Sequence, residues 1–275
     1  MVLTNSIKMA AFTGNAAEVT AFLEKNPESV DDVDEQGRTM MGMAIVASVF
    51  EPGPALAMMR LLLSRGAEVD RRGGPGMPTA LHEVCLRCWP EGVETLIQAG
   101  ADVNAVCGGR RGDRPPTLAL GLVFSTHWLR EDSTTAEASG RTLEQVLHQM
   151  SQIMQLLLRA GHPLDYPIMG TMWSLENGVE YLVSSYTGDA PHLNDALELA
   201  RAVRASLATS TSTRLTDWQK YCLVPPKELL RLRSQIARGK AVAARSTPRN
   251  LAWLFSPDLP KEIAWRVFAY WNPRY

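Results

Sequence analysis

Apolar side chains recur every three or four residues in several stretches of the chain, which is the spacing of one face of an α-helix. One helical stretch spans residues 192–207, and shorter ones surround Leu23, Leu61 and Leu96. Another long stretch covers residues 143–158, and its apolar positions are Leu143, Val146, Leu147, Met150, Ile153, Met154 and Leu157. These patterns predict an all-α fold.

A short sequence returns at the end of three of the predicted helices. Its copies are Ser64–Asp70, Gln98–Asn104 and Arg159–Asp165, and each has a glycine at its third position. The first two glycines are 34 residues apart, and the third follows 61 residues later. Glycine here suits a helix that ends in a left-handed cap. Three copies in register indicate an internal repeat, and the longer second interval indicates an insertion.

The stretch from Thr79 to Ala105 resembles one ankyrin repeat, which is a β-turn plus two helices opened by a Thr-Pro-Leu-His-x-Ala signature. Thr79-Ala80-Leu81-His82 corresponds to that opening, with Ala80 in place of the proline. The interval of 34 residues is close to the ~33 of ankyrin repeats. The resemblance covers residues 1–165. It implies an ankyrin-repeat solenoid of about four to five repeats, with a long insertion around residues 127–141.

The same pattern predicts the turns. Residues 4–33 are expected to form a capping first repeat, whose second helix stops at Asn26-Pro27 because proline disfavours helix in the residue before it. Asp34–Thr39 keeps the Asp-x-x-Gly-x-Thr spacing of the turn into a repeat. We expect a lengthened turn between paired helices at Phe50–Pro54 and a short turn between paired helices at Pro90–Gly92. We also expect a first helix of the fourth repeat near Thr117–Phe124.

Beyond residue 165 the repeat pattern fades. Residues 166–218 are predicted to form a degenerate repeat or capping helices, including a clear helix from His192 to Leu207. Residues 219–275 are predicted to form a C-terminal helical segment. Its basic part, residues 227–249, has no interleaved aromatic residues. We therefore favour a helix that docks on the last repeat over a helix that binds nucleic acid.

The composition sets limits on location and partners. A formal net charge of −1 gives no overall attraction to nucleic acid or to membranes. No apolar run approaches the ~20 residues that span a bilayer, and the N-terminus does not resemble a secretory signal. Four cysteines do not suggest a disulfide scaffold. We expect an intracellular monomer in the cytoplasm, with the nucleus as the alternative.

Several local patterns that suggest chemistry have a simpler interpretation. His82, Cys85 and Cys88 lie within two helical turns, but a structural zinc site needs four ligands. We expect His82 to hydrogen-bond with the turn backbone and Cys85 to pack in the core. The glycine-rich loop at residues 71–76 lacks the Lys-Ser/Thr ending of a phosphate-binding loop. The methionines between residues 40 and 59 are expected to fill the core rather than to form an adaptable binding surface.

Arginines in the predicted loops are candidates for contacts with a target protein. The ankyrin resemblance implies that the hairpin loops and the adjacent concave helix face make the partner contacts. Guanidinium groups pair well with carboxylates and phosphates, so the target surface would be acidic or phosphorylated. The alternative is a solvated loop without a partner. The candidates are Arg38, Arg71, Arg72, Arg110, Arg111 and Arg114.

The last twenty residues carry an amphipathic helix pattern. Pro260 fits the first turn of a helix, and Glu262 interacts well with the helix dipole. The order Leu259-Pro260-x-Glu262-Ile263, then Val267-Phe268 and Tyr270-Trp271, resembles the first half of an F-box, with Trp271 in place of a leucine. An F-box recruits its chain to a Skp-type adaptor of a cullin–RING ubiquitin ligase. Ankyrin repeats followed by a truncated F-box are the layout of the PRANC family, found in poxviruses, other large viruses and some intracellular bacteria.

These resemblances imply a substrate-recruiting adaptor for an SCF-type ligase, acting on a protein of a host cell. The repeats would bind the target, and the C-terminal helix would bind the Skp-type subunit through Leu259, Pro260, Glu262, Ile263, Val267, Phe268 and Trp271. One alternative is a plain ankyrin-repeat binding or scaffold module, in which this helix is only a cap. Another is an adaptor with a SOCS-box-like segment at Thr247–Leu251 that binds elongin.

The chain has no nucleophile–base pair, carboxylate pair or cofactor motif that we recognise in the sequence. We therefore predict that it is not an enzyme and that it uses no metal or cofactor. A small enzyme within residues 166–250 remains the competing hypothesis, and a turnover assay without partners tests it.

Overall fold

A computed structural model describes residues 3–74, 77–107, 117–118, 140–168, 171–185, 191–207 and 216–222. These residues are mostly helical, and the fold class is all-α, as the apolar pattern predicts. The chain divides into two parts, residues 1–201 and residues 202–275. The candidate C-terminal residues, from Leu259 to Trp271, lie outside the described residues.

Pairs of helices follow one another along the first part. The three complete pairs are α1 (Asn5–Phe12) with α2 (Ala16–Lys25), α3 (Met40–Ala47) with α4 (Pro52–Ser64), and α5 (Ala80–Leu86) with α6 (Pro90–Gln98). A 3-10 helix, Pro27–Asp31, follows α2, and α7 spans Leu143–Arg159. First helices pack on first helices, α1 on α3 and α3 on α5. Second helices do the same, in the order α2, α4, α6 and α7.

Short antiparallel segments precede or separate the helix pairs. Val33 and Thr39 form a bridge before α3. Strand β1 (Val106–Cys107) pairs with β2 (Thr117–Leu118). Strand β3 (Asp165–Ile168) pairs with β4 (Thr171–Ser174), with Asp165 opposite Ser174, and then α8 (Leu175–Ser185) and α9 (Pro191–Leu207) follow.

In the second part, the structure describes the end of α9 and a short helix, α10 (Asp217–Cys222). Thr216 begins α10, and its hydroxyl accepts a hydrogen bond from the Gln219 N–H at 3.2 Å. The Gln219 side chain returns the bond, since its Oε1 accepts from the Thr216 N–H at 3.0 Å. This reciprocal cap satisfies two N–H groups that a helix start otherwise leaves unpaired.

The core of the stacked pairs is made from aliphatic residues and methionines. Met40 and Met59 are fully buried, and Met41, Met43 and Met58 are nearly so. The prediction that the methionines fill the core is therefore confirmed. An unbranched thioether side chain adapts its shape to the gaps between stacked helices.

The repeated glycines end three helices with the same geometry. Gly66, Gly100 and Gly161 have φ values of 88°, 91° and 103°. In each case the next N–H donates to the carbonyl five residues earlier, at 2.9–3.0 Å; the pairs are Ala67 with Leu62, Ala101 with Leu96, and His162 with Leu157. The predicted left-handed caps are confirmed, and they explain why glycine returns at these positions.

Three predictions about local structure are wrong. Pro90–Gly92 is not a turn but the first turn of α6, and α4 likewise begins within the predicted turn, at Pro52. A proline has its φ preset for the first turn of a helix and lacks only an N–H that is unpaired there anyway. Thr117 and Leu118 form a strand rather than a helix. The helix predicted at His192–Leu207 is confirmed as α9.

Candidate target-binding surface

A groove lies beside the first helices α3 and α5 and the turns that precede them. We call it the hairpin-side groove. Polar residues form its rim, and apolar side chains such as Met41 and Val46 lie between them. Its charged lining residues are Asp31, Arg38, Glu68, Arg71, Glu83 and Arg87.

The turn before α3 is organised by one buried carboxylate. Asp34 Oδ1 accepts hydrogen bonds from the N–H groups of Gln36 at 2.9 Å and Arg38 at 2.8 Å. Its Oδ2 accepts from the Arg38 guanidinium, with Nε at 2.9 Å, and lies 3.4 Å from the Lys8 ammonium group of α1. Asp34 therefore closes the turn and links it to the first helix pair.

The electrostatics of Asp34 reflect two opposing causes. Burial alone raises the pKa of this carboxyl, because a charge is costly away from water. The hydrogen bonds from Arg38 and Gln36 outweigh burial, and the net result is a lowered pKa. Asp34 is thus ionised at neutral pH, and part of the Arg38 guanidinium is committed to it.

Successive pairs are joined by equivalent aspartates. The Asp31 carboxylate accepts a hydrogen bond from the Glu68 N–H at 3.0 Å. One pair further on, the Asp70 carboxylate accepts from the Asp102 N–H, also at 3.0 Å. Each aspartate satisfies a backbone donor just beyond the glycine cap of the next pair, so the connection repeats along the stack.

The turns themselves touch through two glycines. A Cβ atom built on Gly73 would lie 1.5 Å from the Gly37 carbonyl oxygen, far below any tolerated distance. Gly37 also has a φ of 74°, which other residues rarely adopt. Gly37 and Gly73 thus allow close backbone approach between neighbouring turns.

The first turn of α5 contains the predicted histidine contact. The Thr79 N–H donates to His82 Nδ1 at 3.3 Å, and the Thr79 hydroxyl lies 2.8 Å from the same nitrogen. Both residues are fully buried. The prediction that His82 hydrogen-bonds with turn backbone is confirmed, and the contact caps the helix.

The two cysteines of α5 and its C-terminal turn are fully buried. Burial raises the pKa of the Cys88 thiol to about 12, and the pKa of Cys85 is also raised, again chiefly by burial. Both are therefore protonated thiols that pack as small apolar groups. Among the residues that the structure describes, no group of three His, Cys, Asp or Glu side chains is placed to hold a metal ion.

Arg141 precedes Thr142, the N-cap residue of α7, and its side chain binds the C-terminal end of α5. Its Nη1 donates to the carbonyls of Arg87 and Cys88, both at 3.1 Å, and to Gln149 Oε1 at 3.0 Å. Burial lowers the pKa of this guanidinium, while the negative charge of Glu91 is among the groups that raise it. A cation at a helix C-terminus also interacts well with the helix dipole.

The structure brings together two of the six predicted arginines. Arg38 and Arg71 both line the hairpin-side groove. Arg72 is half-buried beside them and is not a lining residue. Arg110, Arg111 and Arg114 lie outside the described residues.

Sequence reasoning missed Glu83 and Arg87, which also line the groove and pair with each other. They are four residues apart on α5, the spacing at which opposite charges meet on a helix surface. That spacing was a usable signal. Asp31 and Asp70 were also missed, and they carry no local sequence signal, because their partners are more than thirty residues away.

No protein-family model matches the chain, and the search of curated proteins returned no match. Within the described ranges, none of the helices combines the length and the apolar character required to cross a membrane.

Proposed function

We propose that the protein is an ankyrin-repeat binding protein that recruits a target to a cullin–RING ubiquitin ligase. The observation that carries the first half is the repeated connection between helix pairs. The same glycine cap and the same aspartate-to-backbone link recur from pair to pair. A chain that repeats its connections as well as its helices is typical of repeat proteins, whose extended surfaces bind other proteins.

The target-binding surface is proposed to be the hairpin-side groove and the neighbouring turns. The groove has an apolar floor and charged rim residues, among them the exposed Arg71. Arg38 is a weaker candidate than Arg71, because Asp34 and Gln36 already bind its guanidinium. An acidic or phosphorylated target segment suits this rim.

The ligase half of the proposal rests on the sequence near the C-terminus. The apolar stripe of Ile263, Val267, Phe268 and Trp271, preceded by Leu259-Pro260, resembles an F-box opening. The Skp-type subunit would cover this stripe, and catalysis would belong to the ligase. The location we propose is the cytoplasm, in a host cell if the PRANC resemblance holds.

A pull-down with a purified Skp-type adaptor tests the ligase half. We expect the full chain to bind, and a chain truncated before Ser256 or carrying Ile263→Asp to lose binding while its circular dichroism stays unchanged. A charge placed in a stripe that must be buried is costly. If Ile263→Asp unfolds the protein, or if the full chain does not bind, the helix is a cap and the protein is a plain ankyrin-repeat module.

A further inference from the structure

A second cavity lies at the other end of the helices, where the helices of each pair are joined. It has a volume of about 380 Å³, and we call it the turn-side cavity. This volume falls in the range of roughly 300–1,000 Å³ that is typical of ligand pockets. Its apolar wall includes Phe50, Leu56 and Trp89, and its polar wall includes Arg87, Arg141 and Gln149.

The apolar wall continues beyond the cavity as an exposed strip. The Phe50 side chain is 59 % exposed, which is unusual for a large aromatic residue next to a core. Its ring contacts the Phe12 ring edge-on, with centroids 6.4 Å apart. Met9, one turn before Phe12 on α1, is also exposed. The exposed apolar strip therefore continues from the cavity onto α1.

The lining of the polar wall has one more positive than negative charge, and the Arg87 guanidinium is also paired with Glu83, which is not a lining residue. Two guanidinium groups and one carboxylate, that of Glu91, line the cavity. Arg141 is held in place by the carbonyls at the end of α5, so its charge is fixed beside the apolar wall. A further anion near Arg141 would stabilise its charged form in the same way as Glu91 does, and burial from water strengthens that attraction.

We propose that the turn-side cavity binds a peptide segment of the target in which a large apolar side chain is followed by a carboxylate. The apolar side chain packs between Phe50 and Trp89, and the carboxylate lies against Arg141, beside the ion pair of Arg87 and Glu83. Tryptophan and arginine side chains that line a pocket are among the residues that dominate binding energy at protein interfaces. The inference rests on the target-binding half of the proposed function and is independent of the ligase half.

Fluorescence anisotropy with short, capped, labelled peptides tests this inference on the full chain. The probe presents Phe followed by Asp in a Gly/Ser background. Its matched controls replace Asp with Asn, replace Asp with Lys, or replace Phe with Ala. We expect the Phe-Asp peptide to bind at least about tenfold more tightly than each control, and to weaken as the salt concentration rises.

Variants of the protein locate the binding. Phe50→Ala removes an exposed ring, so the fold is retained, and we expect it to weaken Phe-Asp binding by about tenfold or more. Met172→Ala is the matched control, since Met172 is 64 % exposed but does not line the cavity. Equal binding of the Asp and Asn peptides, or unchanged binding to Phe50→Ala, overturns the inference. The truncated chain should bind the peptide as well as the full chain, which separates this result from the ligase test.

Discussion

Single residues set how closely neighbouring helix pairs approach. Gly73 lies against the Gly37 carbonyl, and Asp31 and Asp70 each bind a backbone N–H of the following pair. These contacts involve main-chain atoms, so a change of one side chain alters the spacing of whole pairs. The sensitivity of the stack to substitution is therefore concentrated at a few positions.

Gly73→Ala is expected to destabilise the protein by about 1–3 kcal/mol, because the new methyl group overlaps backbone that cannot move without shifting the turn. Gly53→Ala is the matched control, since a Cβ there meets nothing within 4 Å. Gly53 lies in α4, where alanine is a better helix former by up to about 1 kcal/mol. Urea unfolding compares the two, and equal free energies of unfolding would contradict the close approach.

His162 gives the stability a dependence on pH. Burial lowers its pKa to about 4; the hydrogen bond to the Pro163 carbonyl opposes this, and the nearby His82 adds to it. An unfolded histidine has a pKa of about 6.5, so the unfolded state binds more protons between these values. The contribution of His162 to the free energy of unfolding is complete above about pH 6.5. It is lost as pH falls towards 4, and the loss has an upper limit of about 3 kcal/mol.

His162→Ala should flatten this dependence, and alanine is the residue at the equivalent positions 67 and 101. The measurement is the free energy of unfolding at several pH values from 7.5 down to 4.5 for both proteins. The lowered pKa of Asp34 acts in a separate window, since its contribution is lost only as pH falls below about 4. Parallel pH profiles for the wild type and His162→Ala would contradict the account.

At the scale of elements, α5 shows how a short helix is held at both ends. Thr79 and His82 cap its start, and Arg141 binds the carbonyls at its end. Cys88, just after the helix, has a φ of 50°, a conformation that costs energy outside glycine. The bonds from Arg141 therefore stabilise a turn that its own sequence does not favour.

Arg141→Met is expected to lower the free energy of unfolding by about 1–3 kcal/mol, since it removes charge-assisted hydrogen bonds to partly buried carbonyls. Arg65→Met, at an exposed arginine just after α4, is the control and should change stability by less than about 0.5 kcal/mol. Thermal unfolding monitored by circular dichroism compares the two. A similar small effect of both substitutions would show that Arg141 is not an anchor.

The sequence predicted the features of these elements that depend on neighbouring residues. Helical spacing predicted α7 and α9, and glycine after a helix predicted the caps at Gly66, Gly100 and Gly161. Prolines at helix starts were misread as turn residues, because proline is common both in turns between helices and in the first turn of a helix. The hairpin of β3 and β4 was not predicted, since strands of four residues carry little periodicity.

The candidate site was predictable only in part, because many of its contacts join residues that are distant in the chain. Arg38 and Arg71 both line the hairpin-side groove, because both lie in the predicted turns before the first helices of two pairs. The hydrogen bond from Arg141 to the Cys88 carbonyl joins positions that are 53 residues apart in the chain, and no local sequence pattern predicts such a contact. The turn-side cavity likewise forms from the second and third helix pairs, Arg141 and α7, which come together only in the folded chain.

For the whole molecule, we propose two separable binding roles. The stacked pairs in residues 1–201 would bind a target, and the segment after residue 255 would bind a ligase subunit. Separable binding surfaces imply that each interaction can be removed without loss of the other. A chain that held both partners at once would raise the effective concentration of each partner near the other, as an adaptor requires.

The central claim is tested most directly by quantitative mass spectrometry of proteins captured from host-cell extract. The baits are the wild type, a double variant with Phe50→Ala and Arg71→Glu, and a chain truncated before Ser256. We predict that truncation removes Skp-type and cullin subunits but keeps the targets, and that the double variant does the reverse. Loss of both groups of proteins with either bait, or no change with either, would contradict it.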